Sequence, residues 1–378
     1  LTREEPPGRK IGGFFFGRVQ TLPLPPGEGY KRAMSSPLPF KVALVGYGFV
    51  GKTFHAPLIV ATPGLLLHTV VSSDPAKVLA DHPGVKVAPD LAAALADAEI
   101  DLVVIATPDP LHASQAHAAL DAGKAVVIDK PFAATLDEAR AVADHARRAG
   151  KLLSIFHNRR WDSDFLTLKA LIADGSLGEV VQYESHFDRF RPVVRDRWRE
   201  KPGAGALLDL GPHLIDQALQ LFGSPQAVYA DLAVQKDGGQ APDYFHLVLR
   251  YPRLRVLLHA SQMTLDSRLR MAVHGTRGSF VKQGLDEQEN ALRAGIVPGS
   301  EGWGADPRPG TLTVPDGEGT ASRAVAGVPG DYLAYYAAIR DALSGHGANP
   351  VPPEEALAVM ELIDLAQRSA AEGRELSL

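Results

Sequence analysis

The segment Gly46-Tyr47-Gly48-Phe49-Val50-Gly51 lies between a short apolar run, 41–46, and a stretch, 49–61, with the length and periodicity of a helix. A strand that turns through closely spaced glycines into a helix constrains the fold more than any other feature of the chain. Gly46 would permit the tight bend, Gly48 would let the backbone approach a pyrophosphate, and Gly51 would allow close packing of helix on strand. The first N–H groups of the helix then face the anion. With 36 glycines in the chain the spacing alone says little, so its weight comes from this position. The alternation continues, with apolar strand runs at 66–71, 102–106, 125–128 and 152–156, a shorter one at 85–87, and helix-length stretches at 109–122 and 135–149. Parallel neighbours need a crossover, so the pattern predicts an α/β N-terminal Rossmann domain with a doubly wound parallel sheet and a bound dinucleotide.

A chain of 378 residues that is 45% hydrophobic can fill two cores, and a single core rarely grows past roughly 250–300 residues. The expected division is a dinucleotide-binding domain at 40–156, an α+β domain for substrate and oligomerisation at 157–328, and C-terminal helices at 329–378 that close the structure. A net charge of −5 gives no footprint for nucleic acid or an anionic membrane, so the expected partner is a small molecule. There is no apolar run of about 18 residues and no cysteine, which excludes a spanning helix and a disulfide framework and makes a reducing cytoplasm the expected compartment. Residues 1–33, broken by Pro6, Pro7, Pro23, Pro25, Pro26 and six glycines, lack periodicity. Residues 1–39 are expected to be a disordered extension, with Met34 as the physiological start.

The end of the second strand, Val71-Ser72-Ser73-Asp74, should meet the adenosine ribose. If Ser73 faces it, a 2′-phosphate is accepted, with help from Lys77, and the cofactor is NADP. If Asp74 faces it, the cofactor is NAD; alternatively Asp74 only caps the helix that Pro75 begins. NADP is the favoured reading and NAD the alternative. Ser72 belongs to the same expected contact, and Phe49 and Val50 to the phosphate turn.

Four segments carry a family resemblance: Thr107-Pro108-Asp109-Pro110-Leu111-His112, Val127-Ile128-Asp129-Lys130-Pro131-Phe132, Gly205-Ala-Leu-Leu-Asp209-Leu-Gly211-Pro-His213-Leu-Ile-Asp216, and His274-Gly-Thr-Arg-Gly-Ser279. They resemble the glucose-fructose oxidoreductase / inositol dehydrogenase (Gfo/Idh/MocA) family, whose members carry TPN-x-x-H and E-K-P at the first two places. Asp109 and Asp129 depart from the commoner Asn and Glu. The resemblance covers roughly residues 40–375, and the segment 156–166 is most similar to the branch containing NADP-dependent scyllo-inositol dehydrogenases. It implies that Lys130 is catalytic, that Thr107, Pro108, His112, Asp129 and Lys130 lie at the cofactor, and that the protein is a dimer or tetramer.

Oxidising a secondary alcohol needs a base for the hydroxyl proton while hydride leaves the carbinol carbon. His213 is the candidate. Asp209, four residues earlier on a helix predicted over 206–222, shares its face; the spacing alone suits a surface ion pair or a capping role better, and the resemblance implies instead that Asp209 holds the imidazole. Lys130, after the fifth strand, sits where open α/β sheets bind ligands and is expected to bond the reacting oxygen. The Lys130-Pro131 bond is expected to be cis. Asn158, Arg159, Arg160 and Trp161 follow the sixth strand and suit substrate hydroxyls, with an interdomain salt bridge or dimer contact as the competing reading. His112 either faces the nicotinamide or simply begins a helix. The 13 histidines show no metal-ligand spacing, so no metal is expected.

These readings give an NAD(P)-dependent dehydrogenase acting on a CH–OH group of a cyclic polyol or sugar, with scyllo-inositol as one candidate. A reductase of a sugar, deoxy sugar or diol by NADPH would use the same residues. A non-catalytic dinucleotide-sensing regulator is the alternative from another class. After residue 156 longer alternating segments at 179–188, 226–235, 244–251, 255–263 and 268–274 predict an open, largely antiparallel sheet with one covered face. Its other face is expected to join copies into a homodimer or homotetramer. Residues 297–329 are expected to be a mobile loop, and 332–343 and 354–371 to be amphipathic helices.

Overall fold

A computed structural model describes residues 39–378, so the expectation about Met34 lies outside the described residues. Six strands, β1 (Phe40–Val45), β2 (Leu65–Val71), β3 (Lys86–Ala88), β4 (Leu102–Ile105), β5 (Ala125–Ile128) and β6 (Leu153–Ile155), pair in parallel in the order β3-β2-β1-β4-β5-β6. Every residue of β4 and β5 is buried, which is why both read as unbroken apolar runs: helices cover the two faces. Those helices are α1 (Ala56–Ala61), α2 (Pro75–Asp81), α3 (Leu91–Leu95), α4 (His112–Asp121) and α5 (Leu136–Ala149). A wide π-helical turn, Gly51–His55, precedes α1. Local chemistry fixes the ends of α5, where Thr135 and Glu138 form a reciprocal capping box and Gly150, at φ 61°, closes the last turn. The strand order reverses between β1 and β4, and a crevice opens there at the carboxyl ends of the strands.

The second sheet holds β7 (Val180–His186), β8 (Ala227–Ala233), β9 (Tyr244–Arg250), β10 (Arg255–Ser261), β11 (Leu269–Gly275), β12 (Ser279–Gln283), β13 (Gly310–Asp316), β14 (Gly319–Val325) and β15 (Leu376–Ser377). Their order is β14-β13-β12-β11-β7-β10-β9-β8-β15, antiparallel throughout except for the β7–β10 pair. Alternate residues of β9, such as Phe245, Leu247 and Leu249, are buried, so one face is covered. The remaining helices are α6 (Ser163–Ala173), α7 (Ala206–Phe222), α8 (Gln288–Arg293), α9 (Leu333–Leu343) and α10 (Pro353–Glu372). Helix α10 packs on α7, on β8 and on α5 of the first sheet, and so ties the two layers together.

One expectation is corrected. Residues 297–329 are not a structureless loop, because β13 and β14 form a hairpin across Gly317. The hairpin left no apolar alternation in the sequence, since the residues of β14 are almost all exposed, and Pro315 and the flanking glycines imitate a loop composition. No helix among the described residues is long and apolar enough to cross a membrane.

Arg270 of β11 is fully buried and anchors the second core by bonding Asp164 of α6 (2.9 Å), Gln217 of α7 (2.7 Å) and Ser185 of β7 (2.6 Å). Removing the guanidinium strands a buried carboxylate. Arg270→Met should cost about 3–5 kcal/mol in urea unfolding, and adding Asp164→Leu should recover part of that loss. A single-variant cost below about 1 kcal/mol would show that the pair does not hold this core.

Candidate active site

The turn after β1 is closed at two glycines and open at the third. Gly46 has φ +96°, and a Cβ there would meet the Ala106 carbonyl oxygen at 2.7 Å; a Cβ on Gly51 would meet the Gly46 oxygen at 2.0 Å. At Gly48 nothing lies within 4 Å, so bare backbone faces free space where a phosphate can approach. The residues thus fit a dinucleotide. The space continues into a cleft of about 460 Å³ lined by Gly46, Gly48, Ser72, Ser73, Lys77 and Thr107. Asp74 caps α2, its carboxylate accepting from the Lys77 N–H at 3.0 Å, and Ser72 Oγ accepts from the Asp74 N–H at 3.1 Å. The Lys77 ammonium donates to the Tyr47 carbonyl at 2.9 Å, which pins it beside the phosphate turn. Asp74 thus caps α2 with one carboxylate oxygen and also lines this cleft.

Phe49 and Val50 lie on the far side of that turn and line a second cleft of about 360 Å³ with Asp129, Lys130, Asn158, Asp209 and His213. Lys130 comes from the end of β5 through a cis Lys130-Pro131 bond, as expected. Its ammonium donates to the Asp209 carbonyl oxygen (2.6 Å) and to Asp209 Oδ1 (3.1 Å). Arg199 Nε lies 3.2 Å from the same carboxylate oxygen. Burial works against the charged form of Asp209, but Lys130, Arg199 and Arg189 win and hold its carboxyl well below the usual range.

The expected Asp209–His213 bond is therefore corrected. The two side chains do share a face of α7, but the carboxylate is drawn to the lysine ammonium and the arginine, which outbid a neutral imidazole one turn away. His213 Nδ1 is buried and has no hydrogen-bond partner. Burial, followed by the charges of Lys130 and Arg159, pushes the His213 pKa well below its ordinary value, so the ring is neutral at pH 7 and free to take a proton. Asp129 is buried, with His55 Nε2 3.6 Å away; burial disfavours its charge, yet His55 and Lys130 keep its pKa low.

Four other expected contacts are corrected. Arg160 binds Asp216 (2.5 and 2.9 Å) and Glu355 (2.5 Å), joining the turn after β6 to α7 and α10, and it does not line the cleft. A salt bridge, the competing reading left by the sequence, is thus what holds Arg160, but it runs to α7 and α10 and not to the first domain. Trp161 packs edge-on against Tyr335, and its carbonyl accepts from Gln288. His112 is buried with its two ring nitrogens 2.8 Å from the Pro131 oxygen and 2.9 Å from the Thr107 oxygen, so it staples two strand-end loops together and faces neither cleft. Pro108 also lines neither cleft; its carbonyl accepts from the Leu111 N–H and starts the turn into α4. Missed altogether were Phe156, Phe187, Glu289, Arg293 and the arginines of 189–199, all of which line the second cleft. The repeated Arg at alternate positions of 189–199 was a signal available in the sequence.

Comparison with known proteins agrees with this geometry. The family model described as the NAD-binding Rossmann fold of an oxidoreductase family (Gfo/Idh/MocA) matches residues 40–157, and the model for its C-terminal alpha/beta domain matches 169–378. The chain is 54% identical to the uncharacterized oxidoreductase YdgJ of Escherichia coli K12, over 89% of this chain and 98% of that one. It is 40% identical to the NADP-dependent scyllo-inositol 2-dehydrogenase IolW of Bacillus subtilis 168, over 89% and 96%. The solved structure of YPO2259 from Yersinia pestis superposes with a TM-score of 0.88 at 52% identity, covering 90% of this chain and 97% of that one.

Because Gly48 has room for a Cβ, Gly48→Ala should keep the wild-type melting temperature and weaken NAD(P)H binding at least about tenfold, read by nucleotide fluorescence. Gly51→Ala should lose stability as well as binding. Unchanged affinity in Gly48→Ala would mean that the phosphates do not cross this glycine.

Proposed function

The chain belongs to the Gfo/Idh/MocA oxidoreductase family, and on that footing we propose that it transfers a hydride between NADP(H) and a secondary alcohol or ketone of a cyclic polyol or sugar. The observation that carries this reading is the meeting of Lys130, Asp209 and His213 in the cleft that adjoins the glycine turn. Gly46, Gly48 and Gly51 would hold the pyrophosphate, and Ser72, Ser73 and Lys77 the adenosine ribose. Ser73 and Asp74 both line the cleft of about 460 Å³ beside the glycine turn, and one Asp74 carboxylate oxygen is held by the Lys77 N–H of its own helix; the Ser73 hydroxyl there supports NADP over NAD. The relative named as an NADP-dependent scyllo-inositol 2-dehydrogenase supports the same preference and puts scyllo-inositol first on the substrate panel.

When bound, the nicotinamide supplies the hydride acceptor, or in reduction the donor. The rest is done by side chains. Neutral His213 accepts the hydroxyl proton during oxidation and returns it during reduction. The Lys130 ammonium donates to the reacting oxygen and stabilises its developing negative charge. Asp209 is a positioning residue: its carbonyl and carboxylate hold the ammonium on the cleft side. The same groups serve an NADPH-dependent reductase of a sugar, deoxy sugar or diol, since direction is set by concentrations. A pure dinucleotide sensor needs none of them. We take 40–156 and 157–328 as the two domains and 329–378 as their closing helices. The face of the second sheet that bears Tyr229 and His246 is the surface proposed to join a homodimer or homotetramer, and a cysteine-free chain suits a reducing cytoplasm.

NADP⁺ reduction, followed by absorbance against inositols and aldoses, tests the proposal. Lys130→Ala should lower kcat by about 10²–10⁴ while NADPH still binds; a variant with full activity contradicts the assignment. The pH profile gives a second test. Oxidation needs unprotonated His213, whose pKa is depressed, so kcat/KM for oxidation should stay level as pH falls to 6.5 and decline only in more acid solution. Loss of rate centred above pH 6.5 would assign the base to another group.

A further inference from the structure

The cleft is strongly cationic in a chain whose net charge is −5: eight Lys and Arg line it against the three carboxylates Asp129, Asp209 and Glu289. Most of the excess comes from one segment between β7 and α7. Its first part is extended, with the Arg189 N–H bonded to the Ser261 oxygen (2.9 Å), the Arg191 N–H to the Gln262 oxygen (2.7 Å), and Phe190 bridged to Met263. On such a segment alternate side chains share a side, so Arg189 and Arg191 line the cleft while Phe190 does not, and is half exposed. Arg195, Arg197 and Arg199 continue the spacing.

Some of this charge is answered internally. Arg197 pairs with Glu200 at 2.8 Å and Arg199 with Asp209 at 3.2 Å. Arg159 pairs with Asp162 and Glu289. Among the described residues, the guanidinium groups of Arg189, Arg191 and Arg195 form no ion pair within 4 Å, although the Arg195 backbone N–H donates to Glu200 at 2.9 Å. Arg189 instead lies 4.7 Å from the centre of the Phe187 ring, with the guanidinium of Arg159 at the same distance. Burial, and then the neighbouring Arg191, lowers the Arg189 pKa to about 10, because the more distant charges of Asp209 and Glu289 offset them only in part. Cations gathered in a concave, partly dry site raise the local concentration of anions, and guanidinium forks match carboxylate and phosphate.

We propose that the substrate is itself an anion, a polyol or sugar bearing a carboxylate or phosphate, held by Arg189, Arg191 and Arg195 while its carbinol group meets Lys130 and His213. This rests on the dehydrogenase reading and narrows its substrate class. The competing source of the same chemistry is the pyrophosphate of the cofactor.

The test compares acids with their neutral parents, D-glucuronate and D-gluconate against D-glucose, and myo-inositol 1-phosphate against myo- and scyllo-inositol. Affinity is measured by calorimetry on protein loaded with NADPH, where the carbinol groups find no hydride acceptor and any reduction of an aldose shows as loss of NADPH absorbance, and kcat/KM with NADP⁺ is measured separately. At least one acid should exceed its neutral parent by roughly a hundredfold in affinity, the advantage should shrink with added NaCl, and Arg191→Ala should reduce it to about tenfold or less. Acids that bind so but are never oxidised would support the anion site and overturn the dehydrogenase reading. Neutral members bound and oxidised as well as the acids would overturn the anion site and leave that reading intact. Arg191→Ala that weakens NADPH binding without touching the acid preference would assign the arginines to the cofactor and overturn the proposal, as would failure of every acid to bind.

Discussion

The contact on which the site depends is Lys130 against Asp209. It joins the carboxyl edge of the parallel sheet to a helix of the second layer, across 79 residues of chain, with one bond to a carbonyl and one to a carboxylate. An ammonium pinned there cannot reach back into solvent. Its charge keeps Asp209 ionised despite burial, and adds to the burial that keeps His213 neutral. The lysine of this ion pair thus reinforces what burial does to a second group. The His213 ring is left with a buried Nδ1 that no group of the protein engages.

The first domain was legible because its physics is local. Strands covered on both faces become apolar runs, helix-length stretches such as 135–149 separate them, and the glycine turn marks the crevice at the strand-order reversal. The helix over 206–222 was equally plain in its periodicity. What that helix could not reveal was the partner of Asp209. Spacing on a helix says which side chains are near, and the energies of distant charges decide which of them pair. The same limit explains Arg159 and Arg160. They are neighbours in one short turn, yet one lines the cleft and the other spans to α7 and α10, and no periodicity separates them.

Other failures have their own causes. The β13–β14 hairpin buries little, so it carries no hydrophobic signal and its composition resembles a loop. His112 sits at the start of a helix where a cofactor contact was plausible, but two carbonyl oxygens claim its ring. The arginines of 189–199 were visible in the sequence, yet a net charge of −5 averages them away. Net charge describes how a protein behaves toward large surfaces; a cleft responds to the few charges that line it.

Isotope transfer gives the most direct view of the chemistry. NADPH carrying deuterium at the nicotinamide C4, prepared in each of its two configurations, would be offered with neutral and acidic keto-polyols and the products weighed by mass spectrometry. Hydride transfer in this cleft predicts an alcohol product heavier by one deuterium from one configuration and not from the other. Bound NADPH that delivers no label to any ketone from either configuration would contradict it.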